Sequence, residues 1–199
     1  MSNGDVNQSR RRFLVGATSV VGGVGVIGAA VPFVASWRPS AKAEAAGAPR
    51  SVNISKMEKG QRVTVEWRGQ PVWVVRRTEE MLNDLEGLRD RLSDPDSKDS
   101  DQPDYISGDY RSVEPEFMVL VGICTHLGCS PSYRPEVGAP DLGDDWKGGF
   151  FCACHGSRFD LSGRVFRNVP APTNLVVPPH RYEDDGETLV IGEDPEDVA

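Results

Sequence analysis

Two short stretches, Cys124-Thr125-His126-Leu127-Gly128-Cys129 and Cys152-Ala153-Cys154-His155-Gly156-Ser157, hold all four cysteines of the chain and two of its three histidines. Thiolate sulfur and imidazole nitrogen are ligands that iron and zinc favour. In the first stretch Cys124-x-His126 puts one of each two residues apart, so one tight loop can aim both at a single centre. Cys152 and His155 repeat the offer from the second stretch. Cys129 and Cys154 are left over, one per loop, as if placed to tie the two together.

Three kinds of centre compete for these ligands. Structural zinc takes two cysteines and two histidines tetrahedrally, but its usual spacing pairs like with like, whereas each loop here supplies one of each. The two spare cysteines then have no role. A c-type haem needs Cys-x-x-Cys-His, and Cys152-x-Cys154-His155 is one residue short. A mixed-ligand 2Fe-2S centre has two cysteines on one iron and two histidines on the other, which fits the inventory.

The two motifs resemble those of the Rieske proteins of cytochrome bc complexes, the ubiquinol–cytochrome c oxidoreductases. Downstream, Gly163-Arg164 and Val169-Pro170-Ala171-Pro172 are similar to that family's proline loop, which covers the cluster from a third side. The resemblance implies one Rieske 2Fe-2S cluster, with Cys124 and Cys152 on the buried iron and His126 and His155 on the exposed one. It also implies a Cys129–Cys154 disulfide bracing the loops and a Ser157 hydroxyl donating to a bridging sulfide. His155 would be the quinol-side ligand. Leu127, at the loop tip, would either touch the quinol-oxidising subunit or pack over the disulfide. Rieske oxygenases share Cys-x-His and Cys-x-x-His but generally lack the extra cysteine pair. Two departures stand out: Ala153 occupies a family proline, and Phe159 the place where many members have a tyrosine donating to a ligand sulfur. His180, after Pro178-Pro179 and far from both loops, reads as an ordinary surface or core residue.

The function implied is one-electron oxidation of ubiquinol and delivery of the electron to a membrane-bound c-type cytochrome. Cytochrome b would share the quinol site, within a dimeric complex. Two histidines in place of two thiolates make such a cluster less negative and easier to reduce, with potentials of about −150 to +300 mV against about −400 mV for plant-type ferredoxins. Quinol is a weak reductant, so only the upper part of that range serves. The alternative is the small Rieske relay subunit of a periplasmic oxidase such as arsenite oxidase; a membrane-anchored structural zinc domain is a third reading.

The N-terminus speaks of place. Ser9-Arg10-Arg11-Arg12-Phe13-Leu14 reads as a twin-arginine signal, and residues 13–37 are 25 positions without a charge. At about 1.5 Å per residue that run spans a bilayer core of about 30 Å as a helix. A cleaved signal is the alternative, with Ala41-Lys42-Ala43 offering a small-x-small site, but the run is longer than an ordinary signal core. The expected order is a cytoplasmic segment 1–12, an anchor 13–37, a hinge 38–50 whose residues 40–47 are sometimes helical and sometimes extended, or else an ordinary linker, and a periplasmic Rieske domain 51–199 with its cluster-binding part at 122–173. The single-pass anchor would sit in the bacterial inner membrane, N-terminus inside. Twin-arginine export carries folded proteins, so a cluster inserted beforehand survives the crossing, and an oxidising periplasm permits the disulfide. Residues 51–199 hold 16 basic and 28 acidic side chains, a formal charge of −12 that argues against nucleic acid.

The elements that must position the loops read as all-β, an antiparallel sandwich or barrel with a small cluster-binding subdomain. Val63, Val65 and Trp67 alternate with polar residues, Arg68-Gly69-Gln70 turns, and Pro71-Val72-Trp73-Val74-Val75 returns, which predicts a hairpin. Residues 117–123 form a continuous apolar run that delivers the first loop, Phe150-Phe151 leads into the second, and residues 188–191 close the domain. One inserted helix is predicted from Met81, Leu85, Leu88 and Leu92, with Glu79 and Glu80 in its first turn. Residues 94–104 carry five aspartates and one lysine and read as a solvated loop without catalytic role.

Overall fold

The computed structural model describes residues 7–183 and 185–195. Contacts divide the chain between Ala45 and Ala46 into two compact units. In the first, helix α1 runs Gln8–Ala35, started by Asn7, whose side-chain oxygen accepts the Arg10 amide at 3.1 Å. The cap draws the helix start ahead of the apolar run, so Arg10, Arg11 and Arg12 are helical, and the helix stops at Ala35, short of Trp37. Its 28 residues, with an 18-residue stretch of mean hydropathy 2.0, make it long and apolar enough to cross a membrane. Pro32 lies inside its last turn. Helix α2 (Ala41–Gly47) follows, with the Ser40 hydroxyl accepting the Ala43 amide.

Among the described residues, the second unit contains three antiparallel sheets of three strands each. Its middle sheet is β2 (Arg62–Trp67), β3 (Gln70–Arg76) and β4 (Phe117–Val121). The hairpin turn is Arg68-Gly69 alone; Gln70 pairs with Trp67 and belongs to the strand. Alternation along β3 explains the layers. Val72 and Val74 face one core, shared with Ile54, Val119, Leu189 and Ile191, while Trp73 and Val75 face another, shared with Met118, Leu120, Phe150 and Phe159. Both faces of β3 and β4 are therefore dry, while β2 keeps Thr64 and Glu66 in solvent, and an unbroken apolar run in β4 is what such a strand requires. Against the first face lies the sheet β1 (Arg50–Asn53), β9 (Thr188–Ile191) and β8 (His180–Tyr182); against the second lies β5 (Ser132–Arg134), β6 (Gly149–Cys152) and β7 (Ser157–Phe159).

Two sequence expectations need correction in the insertion between β3 and β4. Helix α3 covers only Glu79–Glu86, capped by the Thr78 hydroxyl on the Met81 amide at 3.2 Å. Gly87 ends it, and the chain tightens into a 3-10 turn at Arg89–Arg91. Leu88 and Leu92 are buried all the same, packed on Ala139, Leu142, Trp146 and Phe166 beside the cluster loops. The aspartate-rich loop is not wholly solvated either, because Asp94 turns inward and gathers the Lys98 and Asp99 amides and the Ser100 hydroxyl. His180 is a core residue: fully buried, its Nδ1 is 2.9 Å from the Pro178 carbonyl, and Tyr105 Oη accepts its amide at 3.0 Å.

Candidate metal centre

The two cysteine-bearing loops are built alike. The Gly128 amide donates to the Cys124 carbonyl at 3.0 Å, and the Gly156 amide to the Cys152 carbonyl at 2.9 Å. Each loop is thus one closed turn from cysteine to the glycine four residues on. Gly128 and Gly156 sit at φ +84° and +78°, a region L side chains rarely adopt, so each loop needs glycine there. The first loop hangs from β4, and the second joins β6 to β7.

This folding sorts the donors by depth. Cys124 and Cys152 are free thiols, both buried in the same core cluster. Toward solvent, the imidazoles of His126 and His155 meet edge to face, ring centroids 4.8 Å apart; His155 is exposed and His126 half-buried. Cys129 and Cys154 are joined in a disulfide between the loops. The side-chain sulfurs of Cys129, Cys152 and Cys154 lie within 4.8 Å of one another, but two of them belong to that bond and offer no thiolate. Leu127 stands at the tip, 70 % exposed.

Burial raises the Cys124 thiol pKa, and the neighbouring Cys152 thiol adds to the rise; the His126 amide and the Ser157 hydroxyl pull the other way without cancelling it. A pair of thiolates in this dry place needs a cation to sustain it, and a metal supplies one. Two sulfurs inside and two ring nitrogens outside suit a centre of mixed sulfur and nitrogen ligation, which ordinary structural zinc spacing does not.

The remaining walls come from far along the chain. Trp73 stacks on Phe150 with centroids 5.0 Å apart beneath the site. The Ser157 hydroxyl, fully buried, accepts the Ala171 amide at 3.0 Å, and the Thr125 hydroxyl donates to the Thr173 carbonyl at 2.7 Å. The segment containing Pro170 and Pro172 is so fastened to both loops. Behind it three guanidinium groups are buried. Arg164 pairs with Asp160 and Asp109, while Arg77 and Arg111 hold the Ser162 hydroxyl and carbonyl at 2.8 and 2.9 Å. Burial pulls the pKa of Arg77 and Arg111 down to about 10. Arg77, Arg111, Asp94 and Asn174 were not singled out by sequence; Arg164 alone lay within a recognisable motif.

Comparison with known proteins agrees with this geometry. A family described as "Rieske [2Fe-2S] domain" matches residues 50–179, and "Ubiquitinol-cytochrome C reductase Fe-S subunit TAT signal" matches residues 1–40. The chain is 61 % identical over 194 residues to the ubiquinol-cytochrome c reductase iron-sulfur subunit of Allochromatium vinosum, covering 98 % of this chain and 93 % of that one. It is 41 % identical over 186 residues to the subunit of the same name in Blastochloris viridis, with 92 % and 94 % covered. It is 36 % identical over 196 residues to the mitochondrial cytochrome b-c1 complex subunit Rieske of Schizosaccharomyces pombe, with 96 % and 74 % covered. With two buried thiols, two paired imidazoles and a loop-bracing disulfide on such a frame, the chain belongs to the Rieske 2Fe-2S iron–sulfur subunits of ubiquinol–cytochrome c reductase.

Proposed function

We propose that this subunit carries electrons singly from ubiquinol, at a site shared with cytochrome b, to a membrane-bound c-type cytochrome within a dimeric complex. The observation that carries the reading is the depth order of the four donors, sulfur inside and imidazole outside. Cys124 and Cys152 would hold the inner iron of the cluster, and His126 and His155 the outer. When bound, the cluster supplies a one-electron acceptor whose potential histidine ligation raises.

The chain's own residues do the rest. His155, exposed at the tip, receives the quinol hydroxyl as a hydrogen-bond acceptor through the ring nitrogen not on the metal, and holds its proton there. Leu127 supplies the apolar contact that excludes water from the docked pair; its exposure supports docking over packing on the disulfide. The Ser157 hydroxyl, beside the Cys124 sulfur, stabilises negative charge arriving on sulfur.

The same reading sets the chain in the bacterial inner membrane, with residues 1–12 in the cytoplasm, residues 13–37 as anchor, residues 38–50 as tether and residues 51–199 in the periplasm, about 122–173 holding the cluster. The three arginines ahead of the apolar run favour that orientation. Electron paramagnetic resonance of reduced membranes tests the function: a Rieske resonance whose line shape changes when quinone is extracted is expected. A resonance indifferent to quinone overturns the quinol reading, and no resonance overturns the cluster.

A further inference from the structure

The insertion between β3 and β4 contributes no candidate ligand, yet three of its hydrogen bonds converge on one residue outside it. Asn174 is fully buried and follows the Val169-Pro170-Ala171-Pro172 loop. Its Nδ2 donates to the Asp94 carbonyl at 2.9 Å and to the Ser97 hydroxyl at 3.0 Å. Its Oδ1 accepts the Val165 amide at 2.8 Å, and its own amide donates to the Ser100 hydroxyl at 3.0 Å. The Asp94 carboxylate shapes this socket, accepting from the Lys98 amide, the Asp99 amide and the Ser100 hydroxyl at 2.8, 3.1 and 2.7 Å. Every polar atom of the Asn174 side chain is used, three partners converging from two segments.

The loop so gripped cannot hold itself. Pro170 and Pro172 carry no amide hydrogen, which removes two of the donors that would fasten a backbone. The Ala171 amide is spent on Ser157, and the Thr173 carbonyl on Thr125. At its entry, residues 165–167 run antiparallel to the insertion: the Ser93 amide donates to the Val165 carbonyl at 3.0 Å and the Arg167 amide to the Arg91 carbonyl at 2.8 Å. Its exit is held by Asn174.

We infer that Asn174 is the positioning residue of the proline loop, and that the insertion, through the Asp94 socket, sets how closely residues 169–172 cover the two buried thiols. The consequence for the cluster rests on the function proposed above; the clamp itself does not.

The test uses the full-length chain in detergent and three variants: Asn174→Ala, the milder Ser97→Ala, and Lys147→Gln, which cuts the half-buried ion pair between Lys147 and Asp84 of the insertion's helix. Amide hydrogen exchange over residues 169–173 is read by mass spectrometry, and iron content and paramagnetic line shape alongside. Asn174→Ala should speed exchange there about tenfold, Ser97→Ala by less and Lys147→Gln not at all, since losing a buried partner opens the loop locally. Iron content should hold while the line shape shifts. Unchanged exchange at 169–173, with acceleration confined to residues 94–100, overturns the proposal, as does equal acceleration by Lys147→Gln. If Asn174→Ala does not fold, Ser97→Ala decides by the same criterion. Wild-type protein without iron refutes the cluster reading and leaves the exchange result to decide the clamp.

Discussion

Phe159 lies directly opposite Phe150 across the β6–β7 pair, both wholly buried in the core that also holds the free thiols of Cys124 and Cys152. The family resemblance puts a tyrosine hydroxyl that donates to a ligand sulfur at this position in many members, and this chain has Phe159 there. A donor near sulfur stabilises the extra negative charge of reduction, so Phe159→Tyr should raise the midpoint potential. A charge-assisted hydrogen bond of about 1.5–3 kcal/mol corresponds to about 65–130 mV for one electron, an upper range given that the Ser157 hydroxyl already acts on Cys124. Some tens of millivolts are expected by redox titration, and an unchanged or lower potential refutes the placement.

The ligand assignment makes a blunter claim. Alanine at Cys124, His126, Cys152 or His155 should abolish the visible and paramagnetic signature each time, because a binuclear cluster with an open coordination position is not retained. Full iron content in His155→Ala protein would sink the set.

Removing the brace should loosen the loops and leave the ligands in place. The Cys129–Cys154 disulfide closes a separation of 25 residues, worth about 3–4 kcal/mol on the disputed chain-entropy account. Cys129→Ser with Cys154→Ser should lower stability in denaturant titration by up to that amount and speed loss of iron to a chelator. Mass spectrometry of air-isolated protein should find both thiols blocked to alkylation, and two free thiols would dispose of the bond.

His180 should make stability fall on mild acidification. Burial holds its pKa below the ordinary value of 6.5, and among the described residues its only polar ring contact is the Pro178 carbonyl at Nδ1. The folded state thus disfavours the charged form. Its contribution is whole above the unfolded-state value and drains away as pH falls through the window between 6.5 and the lower folded-state value. Tyr105 and Tyr182, the aromatic neighbours of the ring, have pKa values raised by burial and stay neutral there. Thermal denaturation between about pH 7 and pH 5 should slope downward in wild type and less steeply in His180→Gln. Equal slopes would assign the acid sensitivity elsewhere.

How far the sequence could be read follows from the range of each interaction. The cluster loops were legible because ligand type and spacing lie within six residues, and the β2–β3 hairpin because alternation and turn are local. The length of α3 was not: Leu88 and Leu92 keep the helical period, but Gly87 ends the helix and a 3-10 turn carries both leucines into the same core. Three-residue strands such as β5, β7 and β8 are too short to show a period. Asp94 looked like one acid among five because its inward turn is fixed by amides just downstream of it. Asn174 meets Asp94 across 80 residues, a separation at which no local pattern survives.

The middle sheet works as a partition wall. One of its sides is filled by the outer strands β1, β8 and β9, the other by the core around the thiols, and the two fillings share no side chain. Divergence on the outer side is therefore screened from the redox chemistry by a full layer of backbone. Lineages of this build are free to re-tailor that outer face to new neighbours while the chamber behind the wall keeps its dimensions.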